Sequence, residues 1–170
     1  KTERILGRGY LKYTAQMKEI IYNAENKLYC INYLINKYKD KTIIFCERIE
    51  FVETIYNFLK NKNQSREIFM LHSGLKKRHQ RDQLNKFKDG SEDAIIVAAK
   101  MIDEGFDAPD AKIGIIASFS NSKRQWIQRK GRIRRYVKGK EAHLFPILVE
   151  GIDEKNSPYD EEEIEKFNQM

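Results

Sequence analysis

Residues 125–135, with the sequence QWIQRKGRIRR, contain the side chains whose types and spacing point most directly to chemistry. Four of them stand at i, i+3, i+7 and i+10, so a helix places them on one face. These four are Gln125, Gln128, Arg132 and Arg135. Two guanidinium groups that keep their charge, beside a carboxamide that could hold a water, suit a nucleotide whose terminal phosphate is being transferred. A solvated basic helix is the alternative, but it would gain nothing from Gly131, which weakens a helix by ~1 kcal/mol.

A second candidate segment is residues 94–111, which read AIIVAAKMIDEGFDAPDA. The apolar half predicts a buried strand, and the loop after it contains Gly105 and Asp107. Glycine lets the backbone approach a ligand closely, and the carboxylate could accept a hydrogen bond from a ribose or position an arginine. The acidic residues 103 and 104 resemble a magnesium box, but the strand ends before them and the sequence lacks the GxxxxGK[ST] loop that accompanies such a box. A tight turn without a ligand is the remaining alternative.

Composition narrows the class of protein. The chain has 170 residues, of which 41% are hydrophobic, and this is enough for one domain with a proper core. There are 32 Lys and Arg against 25 Asp and Glu, and the resulting charge of +7 favours a polyanionic partner such as nucleic acid. Cys30 and Cys46 have neither CxxC spacing nor a neighbouring histidine, so no metal site is expected.

The sequence also bears on location. The N-terminal residues are charged and no apolar stretch reaches membrane length, so neither a signal peptide nor a membrane span is expected. Free thiols favour a reducing compartment, and we therefore expect an intracellular protein of the cytoplasm or nucleus. Because the chain begins at Lys1 rather than at Met, we expect it to be part of a longer protein.

The hydrophobic pattern alternates between strand and helix along most of the chain. Short apolar runs predict strands at residues 42–45, 68–71, 94–98, 113–117 and 142–149, and Pro146 favours an edge position for the last one. Helical spacing predicts helices at residues 14–39 (one or two, with Asn and Lys on the polar face), 49–59, 77–87 and 122–134. Such alternation predicts an α/β fold with a parallel sheet between two layers of helices, and ligands bind beyond the carboxyl ends of its strands.

Four segments in this order resemble a known family. IIFC at 43–46, HSG at 72–74, DEGFDAPDA at 103–111 and QRKGRIRR at 128–135 look like helicase motifs IV, V and VI. They are similar to the second RecA-like domain of superfamily 2 helicases and translocases, and within it to XPB-type DNA repair helicases and the motor subunits of type I and III restriction enzymes. The resemblance implies a RecA-like, P-loop NTPase-like fold without its own P-loop. We expect a connector and helix at residues 1–40, the RecA-like domain at 41–150 and an acidic tail at 151–170.

The resemblance also implies roles for individual residues. Arg132 and Arg135 match the arginines that reach the γ-phosphate of ATP from across a cleft, and Gln128 matches the glutamine that helps to place the attacking water. Gly105 and Asp107 match the motif V pair that touches the nucleotide. The phosphate loop and the magnesium ligands of such motors belong to a first RecA-like domain and are not found in this sequence. ATP with Mg²⁺ is therefore the implied cofactor, and the isolated domain is expected to be inactive.

Contacts with a DNA or RNA backbone are implied as well. The candidates lie on segments that leave the strands and are His72, Ser73, Lys76, Lys77, Arg78 and Lys100. Many relatives have threonine where this chain has Ala99, and Lys100 could contact a phosphate instead, with less directionality. Such contacts are tolerant of sequence and weaken strongly with salt. For Lys76, Lys77 and Arg78 a solvated helical turn is an equal alternative, and His72 could equally be a buried hydrogen-bonding residue.

The expected function is that of the C-terminal motor domain of an ATP-dependent DNA helicase or translocase. Its expected partners are DNA, with RNA as a possibility, and the N-terminal RecA-like domain of the same protein. A restriction-type translocase and an RNA-dependent ATPase are alternatives with the same fold. A non-catalytic nucleic-acid-binding module is an alternative of another class. A small-molecule phosphate-transfer enzyme would need a glycine loop and metal ligands that the sequence lacks.

Overall fold

The computed structural model of the protein describes residues 25–99, 111–118, 133, 142–149 and 165. The elements in chain order are α1 (Glu25–Lys37), β1 (Thr42–Cys46), α2 (Ile49–Lys62), β2 (Ile68–Leu71), α3 (Lys77–Asp89), β3 (Ile95–Ala99), β4 (Ile113–Ile116) and β5 (His143–Pro146). All five strands predicted from the apolar runs are confirmed. Helices α2 and α3 are also confirmed, and the C-cap of α3 is Gly90, as its sequence indicated. Within these ranges no helix is long and apolar enough to cross a membrane.

The five strands form one parallel sheet in the order β2-β3-β1-β4-β5. Strand β5, which ends at Pro146, lies at an edge as predicted. From β1 the chain moves to one side of the sheet, through β2 and β3, and then crosses to β4 and β5 on the other side. The connections that leave β1 and β4 therefore diverge, and this divergence creates the crevice at which parallel sheets bind ligands.

Helices cover both faces of the sheet, which confirms the predicted layers. Helices α1 and α2 pack on one face, where buried side chains such as Ile35 and Ile55 belong to the same hydrophobic cluster as Ile44 of β1. Helix α3 packs on the other face, where Phe87 belongs to the same cluster as Ile43 of β1. Alternate side chains of a strand point to opposite faces, so a central strand covered on both sides is apolar at every position. Strands β1, β3 and β4 are accordingly buried along their whole length.

Polar contacts connect the elements at the amino ends of the strands. The guanidinium group of Arg66 donates to the carbonyl oxygen of Ile35 at 2.5 Å and, through Nε at 3.0 Å and also through Nη2, to that of Asp93. Its Nε lies 3.1 Å from the carboxylate of Asp93. Lys112 and Asp40 form a second ion pair at 2.9 Å. These contacts fasten the end of α1 and the starts of β2, β3 and β4 to one another, on the side of the sheet away from the crevice.

Candidate functional site

The two segments that carry the predicted nucleotide-binding residues begin close together at the carboxyl edge of the sheet. Strand β3 ends at Ala99, and residues 100–110 follow it. Strand β4 ends at Ile116, the described chain continues to Ser118, and residues 119–132 follow that residue. Strands β3 and β4 flank β1, so their ends are two strand spacings apart, or roughly 10 Å. Six of the predicted site residues lie outside the described part of the chain: Lys100, Gly105, Asp107, Gln128, Arg132 and Arg135.

Buried polar side chains join the elements that border the crevice. The hydroxyl of Ser118, which is 1% exposed, accepts a hydrogen bond from the backbone N–H of Glu47 at 2.8 Å and so connects the ends of β1 and β4. From α1, the ammonium group of Lys27 donates to the carbonyl oxygen of Ala117 at 3.1 Å, and this lysine is only 3% exposed. Burial of an ammonium group costs free energy unless the group is hydrogen-bonded. The folded protein therefore has to keep this hydrogen bond, which holds the start of α1 against the end of β4.

The placement of Lys27 corrects the sequence interpretation, which put the lysines of this helix on its polar face. Lysine at this position has an apolar stem that can lie along the core while its charged end reaches the edge of the sheet. Periodicity alone does not reveal such a side chain, because it treats every lysine as polar. The nearby Ile31 shows that the apolar side of the helix was otherwise assigned correctly, since it is fully buried.

One residue of the run at 125–135 is described. Ile133 is helical, and its side chain is fully buried in the hydrophobic cluster on the α3 face of the sheet. It lies directly over β4, because a Cβ atom built on Gly114 would be 2.8 Å from Cγ1 of Ile133. The same Cβ would be 2.6 Å from Cδ1 of Leu144 in the neighbouring strand β5. Within the run at 125–135, Ile133 therefore packs directly on the sheet.

The candidate nucleic-acid contacts after β2 form an exposed basic turn, defined as Ser73, Lys76, Lys77 and Arg78. Lys76 is the N-cap of α3 and makes no side-chain capping hydrogen bond, and the first turn of the helix has no acidic residue. The first N–H groups of a helix lack acceptors within it, and its N-terminal end is the positive end of the dipole, so the basic turn attracts anions. The three cations form no ion pair with any residue that the structure describes. This exposure agrees both with phosphate contacts and with a solvated turn.

His72 lies beneath the basic turn rather than on its surface. Its side chain is 3% exposed, and its Nε2 is 3.9 Å from Oε1 of Glu53. Neither ring nitrogen makes a hydrogen bond with a described residue, so His72 is buried, as the alternative interpretation expected, but not bonded. A Cβ atom on Gly74 would be 3.0 Å from its Nδ1, which shows how closely the turn packs on the imidazole. A direct phosphate contact by His72 therefore requires the turn to move.

Gln80 shapes the same turn and was missed by the sequence interpretation. Its side-chain amide donates to the carbonyl oxygens of Leu75 at 2.6 Å and of His72 at 3.3 Å. Because both acceptors belong to the loop between β2 and α3, the contact holds that loop against the first turns of the helix. The sequence carried no signal for this contact, because periodicity does not distinguish this Gln from others on a solvated helix face.

Metal ligation receives no support from the described residues. Across residues 25–99, 111–118 and 142–149, no group of three or more His, Cys, Asp or Glu side chains is arranged to hold an ion. Cys46 is buried in the core and Cys30 is exposed on α1. Although Cys30 as a residue is exposed, partial shielding of its sulfur from water raises the pKa of the thiol.

The fold and the position of these segments define a class of protein. A parallel sheet between helices, with motif-bearing segments at its carboxyl edge, is the architecture of a RecA-like helicase domain. The chain belongs to the family of the helicase conserved C-terminal domain, whose model matches residues 26–137. This confirms the resemblance that the motifs indicated, to the second RecA-like domain of superfamily 2 helicases.

Known proteins similar to the chain include motors for DNA and for RNA. The chain is 32% identical over 141 residues to the DNA 3'-5' translocase XPB2 of Sulfurisphaera tokodaii, which is 78% of this chain and 28% of that protein. It is 30% identical over 134 residues to the ATP-dependent RNA helicase MAK5 of Kluyveromyces lactis, which is 73% of this chain and 16% of that protein. The chain thus spans less than a third of the length of either relative.

A solved structure supports the same fold. Domain 2 of the DEAD-box helicase Mss116p, bound to an RNA duplex, matches 78% of this chain and 51% of that chain with a TM-score of 0.61. The two sequences are 21% identical over the match, so the likeness concerns the fold alone.

Proposed function

We propose that this chain is the C-terminal motor domain of an ATP-dependent DNA helicase or translocase. In this proposal Arg132 and Arg135 stabilise the charge on the γ-phosphate of ATP held by a first RecA-like domain, and Gln128 orients the attacking water. Gly105 and Asp107 touch the nucleotide from motif V. When bound, ATP provides the phosphoanhydride bond whose hydrolysis drives movement, and we expect the ligands of Mg²⁺ on the first domain. Arginines in this role contribute ~10³ to 10⁵ in rate.

The observation that carries the proposal is that β3 and β4, the strands that precede the two motif-bearing segments, end at the same edge of the sheet on either side of β1. Residues 100–110 leave β3 and residues 119–132 leave β4, on either side of β1 and at the same edge. Parallel sheets bind nucleotides at this kind of position, because the loops that leave neighbouring strands diverge there. A motif V loop and a motif VI helix that start at this edge can therefore reach one nucleotide together.

The burial of Ile133 gives further support. At 100° per residue, Gln128, Arg132 and Arg135 lie roughly 100° to 160° around a helix axis from Ile133. Because Ile133 faces the core, a helix through this run directs the polar stripe away from the core. This orientation is required of arginines that act on a nucleotide held by another domain.

DNA is the nucleic acid along which we propose that the motor moves, because the order and the residues of motifs V and VI resemble those of XPB-type helicases. The similarity to the translocase XPB2 agrees with this choice. RNA is the second candidate, since the chain is also similar to the RNA helicase MAK5. The exposed basic turn supports contact with either backbone, because phosphates are common to both. Equilibrium binding to single-stranded DNA and RNA of one sequence, at the same salt concentration, distinguishes the two.

Arginine substitutions in the complete motor test the catalytic part of the proposal. Arg132→Ala or Arg135→Ala should lower kcat for ATP by roughly 10³-fold or more, because a transition-state charge is lost. Affinity for DNA should change little. Arg134→Ala is the matched control, since it removes one guanidinium group that lies roughly 100° to 160° around the predicted helix from Gln128, Arg132 and Arg135. Turnover near the wild-type level in Arg132→Ala or Arg135→Ala would remove the assignment.

A further inference from the structure

Gly114 lies in the middle of β4 at the point where Ile133 and Leu144 approach the strand. Its backbone is ordinary strand, paired with Ile43 on one side and Leu144 on the other, so glycine is not needed for its conformation. A side chain there would find no room, because its Cβ atom would lie 2.8 Å from Cγ1 of Ile133 and 2.6 Å from Cδ1 of Leu144. Apolar carbon atoms in contact are ~3.5 to 4.0 Å apart. Any side chain at residue 114 therefore has to push its neighbours outwards.

The two neighbours differ in what such a push would displace. Leu144 belongs to the edge strand β5, and the tip of its side chain can turn to another rotamer. Ile133 is β-branched and stiff, and the atom that would be struck first is Cγ1, close to its backbone. A side chain on Gly114 would consequently displace Ile133 by about 1 Å at Cγ1, the difference between 2.8 Å and an ordinary contact, and a stiff side chain passes part of this displacement to its backbone.

We propose that Gly114 is a positioning residue for the arginine segment. The absence of a side chain on β4 lets the large Ile133 sit directly on the strand, and this contact sets the depth and rotation of the turn that carries Arg132 and Arg135. The inference rests on the proposed function of those two arginines. A displacement of about 1 Å in a group that acts on the transition state can lower the rate ~10²-fold. The packing of Ile133 on β4 should therefore affect kcat.

An exchange of bulk between the two positions tests the proposal. Gly114→Val adds three carbon atoms to β4, and Ile133→Ala removes three from the side chain above it. In the complete motor, Gly114→Val should lower kcat for ATP by roughly 10²-fold, while KM for ATP and affinity for DNA stay close to their wild-type values. The double variant should regain most of the lost kcat, because the space is restored. Gly114→Ala with Ile133→Val is the milder pair for use if valine prevents folding.

A control separates the positioning role from a general loss of stability. Ala94→Leu also adds three carbon atoms to the same hydrophobic cluster, at a fully buried residue before β3. It should lower the melting temperature as overpacking does, but leave kcat unchanged at temperatures where the protein is folded. If Ala94→Leu and Gly114→Val lower kcat equally, or if Ile133→Ala fails to restore the turnover of Gly114→Val, the proposal is wrong.

Unfolding experiments on this chain alone distinguish a failure of this inference from a failure of the proposed function. The changes in unfolding free energy for Gly114→Val and Ile133→Ala should be clearly non-additive, because the residues are in contact. Additive changes would show that Ile133 is not seated on Gly114. Non-additive changes together with normal turnover of Gly114→Val would refute the positioning role alone. Normal turnover of Arg132→Ala would refute the proposed function and leave the contact intact.

Discussion

Replacement of Arg66 by alanine should destabilise the domain strongly without touching the candidate site. The side chain is 8% exposed and donates to two backbone carbonyl groups, those of Ile35 and Asp93, besides its ion pair with the carboxylate of Asp93. Burial lowers the pKa of the Arg66 guanidinium, while the carboxylates of Asp93 and Asp40 act to raise it. Arginine still keeps its proton, so the substitution removes a buried charge and leaves its acceptors without this partner.

The expected magnitude follows from these contacts. A hydrogen bond from a charged group contributes ~1.5 to 3 kcal/mol, but two of the donors share one acceptor and the values do not add. Loss of one partner of a buried ion pair costs ~3 to 5 kcal/mol, and Asp93 is partly exposed and can regain water. We therefore expect a loss of about 3 kcal/mol, which is a large part of a total stability of ~5 to 15 kcal/mol. The melting temperature should fall by roughly 6 to 12 °C.

Urea unfolding followed by circular dichroism measures this loss as a shift of the midpoint at constant slope. Lys86→Ala is the matched control, because Lys86 and Asp82 form an ion pair at 2.9 Å in which both side chains are about half exposed. Exposed i,i+4 pairs contribute only ~0.3 to 0.5 kcal/mol. If Arg66→Ala and Lys86→Ala destabilise the chain equally, the argument from burial and shared acceptors is refuted.

Two further predictions concern charge. Replacement of Lys76, Lys77 and Arg78 together by alanine should reduce the slope of log affinity for DNA against log salt by ~0.7 to 0.9 per lost phosphate contact, and an unchanged slope would favour the solvated turn. Lys62→Ala, at the amino edge of the sheet, is the control for this variant. The carboxylate of Glu67 accepts a hydrogen bond from the N–H of Ser91 at 2.6 Å, which lowers its pKa below the ordinary value of 4.5. At pH values above 4.5 the lowered folded-state pKa of Glu67 stabilises the protein. The free energy of unfolding should therefore fall as the pH drops from 4.5 through the folded-state pKa, and Glu67→Gln should lack this part of the pH dependence.

The fold could be predicted from the sequence because its strands and helices have clear periods. Runs such as residues 43–46 and 95–99 are apolar at every position, which is what a strand covered on both faces requires. Pro146 cannot donate a hydrogen bond to a neighbouring strand, and the edge position of β5 follows from that chemistry. The order β2-β3-β1-β4-β5 could not be read from periodicity, because side-chain patterns show which face is buried but not which strand lies beside which.

The sequence pointed to the candidate site through its motifs rather than its contacts. Spacing predicted the basic turn and the arginine run, since both depend on residues that are near in sequence, and the roles of these residues stay predictions. Lys27 and Ser118 were not predicted, because their partners lie 90 and 71 residues away in the chain. The contact between Ile133 and Gly114 was not predicted either, because these two residues are also far apart in the sequence. A glycine within a strand indicates that something approaches closely, but only the folded chain shows what does.

Two ion pairs lie at the amino edge of the sheet and the basic turn lies at its carboxyl edge, so their contributions to stability and to binding can be examined separately. At the amino edge, the described cations Arg66 and Lys112 are neutralised by Asp93 and Asp40, respectively. At the carboxyl edge, the cations of the basic turn form no ion pair with a described residue and stay exposed. Positive potential that is not neutralised within the domain attracts a polyanion to that edge, where the motif-bearing segments also begin. Charges that hold the domain together and charges that meet nucleic acid should therefore be separable, so Arg66→Ala should lower stability while affinity for DNA stays unchanged in the folded protein.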